Sequence, residues 1–93
     1  MAELVFEIWH DEESYSYELS SVSKQGDKVR ASMTPQAVKV HTFTATSDHE
    51  AHQKYNNWHG WGRWKPMPAA PEYLFTEEEV AEQRRYIAKR KAH

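Results

Sequence analysis

Val38-Lys39-Val40-His41-Thr42-Phe43-Thr44-Ala45-Thr46, running into Ser47-Asp48-His49-Glu50, is the stretch whose reading decides the fold. β-Branched residues crowd its first nine positions, and they suit a pleated surface because their χ1 freedom is already restricted. The next four match a capping box, in which the Ser47 side chain accepts from the Glu50 backbone N–H and the Glu50 carboxylate reaches back. A strand therefore hands over directly to a helix. Ala51, Tyr55 and Trp58 follow at helical spacing and give that helix one apolar stripe, with Gly60 placed to end it. The stripe predicts that Tyr55 and Trp58 lie against Phe6, Ile8 and Phe43.

Upstream, Leu4, Phe6 and Ile8 alternate with other residues, the period-two signature of a half-buried strand. Tyr15, Tyr17 and Leu19 alternate with Ser16 and Glu18, so the two runs read as a β-hairpin around a solvated acidic tip, His10-Asp11-Glu12-Glu13. Lys24-Gln25-Gly26-Asp27 is turn chemistry, and Asp27 to Met33 reads as a short helix started by Asp27, with a strand as the alternative. Downstream, Pro66, Pro68 and Pro71 predict an extended surface strap. Thr76-Glu77-Glu78-Glu79 is a second capping box opening a helix from about Glu77 to Lys91. The apolar face of that helix, Val80, Tyr86 and Ile87 with Ala81 and Ala88, is thin, which predicts a peripheral, mobile or partner-docked element. The whole reads as a single α+β domain: a two-layer sandwich with a three-stranded, mainly antiparallel sheet and one packed helix (1–65), a Pro-rich strap (66–75) and a C-terminal helix (76–93).

Composition narrows the function classes. A 93-residue chain supports one core, and with 39% hydrophobic but 13% aromatic residues, large rings must supply much of the buried area. Twelve Lys and Arg against fourteen Asp and Glu give a net charge of -2, which argues against a dedicated nucleic-acid binder. Positions 1–47 hold seven acids and four bases, whereas Arg84, Arg85, Lys89, Arg90 and Lys91 crowd the C-terminal region. That basic group can touch phosphates, or serve the helix dipole alone. The absence of cysteine excludes disulfides and thiolate chemistry and fits a cytoplasmic setting. No signal peptide or membrane span is expected.

Two constellations carry possible chemistry. His49, His52 and His59 fall with Asn56 along one stripe, and two imidazoles a turn apart can share a metal. Yet the spacing H-E-A-H departs from H-E-x-x-H, and the plainer expectation is a solvated polar flank. Trp58, Trp61 and Trp64 recur every third residue among His59, Arg63 and Lys65; such rings either seal the sandwich or form a partner's docking surface. No catalytic motif is present and no cofactor is expected. The minor enzymatic alternative is RNA cleavage by a converging His41, His52, Tyr55 and Arg63.

The chain resembles small bacterial proteins of unknown function that share an F-E-I-W-like strand and an F-x-A-x-S-x-x-E-A…Y-x-x-W-x-G-x-G segment. Here these are Phe6-Glu7-Ile8-Trp9 and Phe43 through Gly62. The strand-then-helix order also looks like the sheet-based antitoxin domains of the HicB type at the level of fold alone. Neither resemblance implies an activity. The sequence thus points to an accessory or regulatory protein that binds another protein through Trp58, Trp61, Arg63 and Trp64 or through Tyr86 and Ile87. Homodimerisation by sheet-edge pairing remains open.

Overall fold

The computed structural model describes residues 2–66 and 71–91. Strand β1 (Leu4–Asp11) lies at the centre of a three-stranded antiparallel sheet, flanked by β2 (Ser16–Ser21) and β3 (Val38–Ala45) in the order β2-β1-β3. Helix α1 (Lys24–Met33) joins β2 to β3, α2 (Asp48–His59) follows β3, and α3 (Glu77–Lys91) comes last. Phe6 stands opposite Ser21 and Phe43, and Ile8 opposite Leu19 and His41. One residue on, Trp9 pairs with Lys39, so Val40 is the extra residue of a bulge on edge strand β3.

Strand alternation gives the sheet two distinct faces. Leu4, Phe6 and Ile8 point to one, where Phe6, Ala45 and Ala51 form a buried cluster with Leu4, Leu19, Phe43 and Phe75 packed around it. The rings of Phe6 and Phe43 stack at 5.7 Å, and Phe75 closes on Phe6 at 5.9 Å. Helix α2 covers this face by way of the small Ala51, which lets its backbone approach. Both ends of α2 follow the sequence: Glu50 N–H donates to Ser47 Oγ at 3.0 Å, while the Glu50 carboxylate accepts from the Thr46 N–H, one residue earlier than a standard box. At the other end Gly60 adopts φ 75°, and Gly60 N–H and Trp61 N–H donate to the Asn57 and Asn56 carbonyls in a Schellman closure.

The opposite face carries Val5, Glu7 and Trp9 and is covered by polar means. Gln83 of α3 accepts from Val5 N–H at 2.8 Å and donates to the Val5 and Val22 carbonyls at 3.0 and 3.1 Å. Arg90 grips Glu7 through two hydrogen bonds of 2.9 Å and also reaches Asp27, which Tyr86 and Arg30 bond as well. Trp9 Nε1–H donates to Glu7 at 3.1 Å, and the Arg30 guanidinium lies 3.7 Å over the Trp9 ring. Glu7 is only 3% exposed. Burial pushes its carboxyl up, but the Arg90 hydrogen bonds and charge, the Trp9 N–H and the Lys39 charge outweigh that and hold it below the usual carboxylate range.

The α+β class, the three-stranded antiparallel sheet and the packed helix agree with the sequence; four details do not. Helix α1 starts at Lys24 rather than at Asp27, because Ser23 caps it by accepting from Gly26 N–H. Tyr15 lies in the hairpin turn at φ 55° instead of in a strand. Trp58 meets the Tyr17 and His41 rings and Tyr55 those of His59 and Trp61, while the rings on Phe6 are Phe43 and Phe75. Helix α3, despite its thin apolar face, docks on its own sheet, since amide and guanidinium contacts do what apolar area does elsewhere. The expected strap falls partly on positions 67–70, outside the described residues; beyond them Phe75 N–H donates to the Thr46 carbonyl and Leu74 bridges to Ser47. Among the described residues no helix is long and apolar enough to cross a membrane.

Candidate binding surface

Where α2 ends, rings from three elements meet. His59 is the last residue of the helix, and the αL turn at Gly60 folds the following Trp61 back so that the two rings stack at 3.8 Å and 5°. Tyr17, Tyr55 and Trp58 meet the same imidazole edge-on at 4.7, 4.5 and 5.0 Å. Its Nε2 is buried with no hydrogen-bond partner among the described residues, and desolvation lowers the His59 pKa from its ordinary 6.5, which favours the neutral ring. An uncharged His59 serves here as a flat packing surface.

The array continues across the sheet. Trp58 meets Tyr17 at 5.7 Å and His41 at 5.8 Å, and His10, opposite Tyr17 in the hairpin, stacks on it at 4.4 Å. Along α2, Gln53 accepts from Trp64 N–H at 3.0 Å and donates to the Gly62 carbonyl at 3.2 Å, pinning residues 62–64 to the helix. Trp64 thereby lies on His52 at 4.7 Å and near His49 at 5.3 Å. All five described histidines lie against an aromatic ring.

The surface is open to solvent. Trp61 is 62% exposed, Tyr17 41% and Trp58 39%, and Val38 and Val40 on the adjoining edge strand are exposed as well. These rings hold one another in place by stacking, so they present apolar area with little freedom left to lose. The outer edge of β3 beside them is unpaired within the sheet.

The sequence-derived candidates separate on this geometry. Trp58, Trp61 and Arg63 are exposed, and Trp64 is half-buried under its histidines. Tyr86 donates to Asp27, and Ile87 lines a cavity with Val5 and Val80, so both face the rest of the chain. The histidine row is no solvated flank: His49 and His52 serve Trp64 while His59 serves Trp61. Among the described residues no group of three His, Asp or Glu converges as a metal site. His41 and His52 stack on different tryptophans, Tyr55 meets Trp61 edge-on, and no hydrogen bond among the described residues joins the three to one another or to Arg63. Tyr17 and His10 escaped the sequence reading as surface residues, although the hairpin alternation that pairs them was legible. In comparison with known proteins, no family model matches the chain, and no curated protein or solved structure is significantly similar to it.

Proposed function

We propose that this chain is a non-enzymatic accessory or regulatory protein that docks another protein on the surface formed by Tyr17, Trp58 and Trp61. The observation that carries the reading is the exposure of Trp61 and Trp58 within a prestacked aromatic array. Tryptophan and tyrosine dominate binding hot spots because each buries a large area at small entropic cost. The free edge of β3 with Val38 and Val40 adjoins the array and suits an extended partner segment. Lack of cysteine agrees with a cytoplasmic setting. The resemblance to small bacterial proteins supports a bacterial host.

Crosslinking from the native host, followed by mass spectrometry, tests the reading with Trp58→Ala and Trp61→Ala. Trp61 is mostly exposed, whereas Trp58 also packs on Tyr17, His41 and His59, so each variant is checked by circular dichroism and Trp58→Phe replaces Trp58→Ala if the latter loses structure. A partner crosslinked by the wild type and lost by at least about tenfold with either variant, the scale of a single hot spot, is the expected result. Equal recovery with folded variants overturns it.

A further inference from the structure

On the other side of the molecule, a groove of about 670 Å³ runs between the start of α1 and the last turns of α3, lined by Lys24, Glu82, Arg85, Tyr86, Lys89 and Arg90. Two of these form a fixed wall: Tyr86 is bonded to Asp27, and Arg90 to Glu7 and Asp27. Lys24, Arg85 and Lys89 differ in having no carboxylate within ion-pair distance among the described residues. Arg85 and Lys89 stand one helical turn apart, a like-charge spacing that disfavours the helix unless an anion lies between them. The chain as a whole is acidic at -2, so these three bases without a carboxylate partner, Lys24, Arg85 and Lys89, against Glu82 in a single groove are a local reversal of sign, Arg90 being already compensated by Glu7 and Asp27.

We infer that this groove binds a small phosphate-bearing ligand. Arg85 offers a planar fork of donors for two phosphate oxygens, and Lys24 and Lys89 offer point charges from either side. The volume lies within the range of small-ligand sites, and the basic group is bounded by α1 rather than drawn out as a stripe, which favours a compact anion over a polymer backbone.

The test is a titration of the full chain with pyrophosphate at low salt, followed by amide NMR shifts, with a nucleoside monophosphate and a single-stranded oligonucleotide as parallel probes. Arg85→Gln and Lys89→Gln alter exposed side chains that form no ion pair among the described residues, and Arg84→Gln makes the same charge change outside the groove. Saturable shifts at Lys24, Tyr86 and Lys89 are expected, weakened about tenfold by each groove variant and little changed by Arg84→Gln. Absence of saturable shifts at millimolar pyrophosphate overturns the inference. So does equal weakening by Arg84→Gln, which would mark diffuse attraction, or tightening in proportion to oligonucleotide length, which would mark a nucleic-acid surface.

Discussion

Ser47 shows how much one small side chain carries at the handover from β3 to α2. It is fully buried, accepts from Glu50 N–H and donates to Glu72 at 2.6 Å, so it caps a helix and ties down the far end of the Pro-rich stretch. Ser47→Ala is expected to destabilise the protein by about 1–2 kcal/mol, the upper part of the range for a lost cap. Urea unfolding measures it as a lower midpoint at unchanged slope. The role was readable beforehand because capping is local: donor and acceptor are three residues apart. The same holds for Gly60, whose left-handed φ is needed wherever the next residue falls. By contrast Asp27 drew attention as a helix start, yet its carboxylate is spent on Arg30, Tyr86 and Arg90. Two of those partners are some sixty positions away, and no local pattern announces them.

At the scale of the element, α3 is held chiefly by polar contacts. Periodicity counts apolar residues, so a helix fastened by one glutamine and one arginine reads as loosely attached. Gln83 supplies a partner to Val5 N–H and to the Val22 carbonyl, backbone groups at the start of β1 and just past the end of β2. Gln83→Leu keeps the volume and strands both, and is expected to cost about 2–4 kcal/mol at roughly 1–2 kcal/mol for each buried unsatisfied group. Denaturant unfolding with a near-neutral result would show instead that Val80 and Ile87 suffice. The binding surface was half legible for a related reason. The Trp58-x-x-Trp61-x-x-Trp64 repeat marks it in sequence, but only the turns at Gly60 and Gly62 decide that Trp61 faces water while Trp64 lies on His49 and His52.

For the molecule as a whole, the Glu7 and Asp27 cluster makes stability depend on acid. Burial raises both carboxyls, but Arg90 with Trp9 and Lys39 around Glu7, and Tyr86, Arg30 and Arg90 around Asp27, leave both below their ordinary values of 4.5 and 3.8. Groups depressed in the folded state stabilise it fully above those ordinary values, and the contribution is lost as pH falls through the lower folded ones. Thermal midpoints are therefore expected to decline gently once pH falls below 6.5, the ordinary value from which burial depresses His59, and more steeply below about pH 5 as Glu7 and Asp27 protonate. Arg90→Gln should lower the plateau and flatten the descent, because it removes the main counter-charge. A variant that titrates like the wild type would show that Arg90 is not the cause.

Glu7 meets Arg90 across 83 positions of chain. On a ribosome moving at roughly 5–20 residues per second, β1 emerges several seconds ahead of the guanidinium that neutralises it. In that interval the nascent hairpin has one finished side and one bare side, with Trp9 and an uncompensated carboxylate still in contact with water. The α2 layer, built from neighbours in sequence, is free to form first, and the clasp on the far side closes only after α3 has been made.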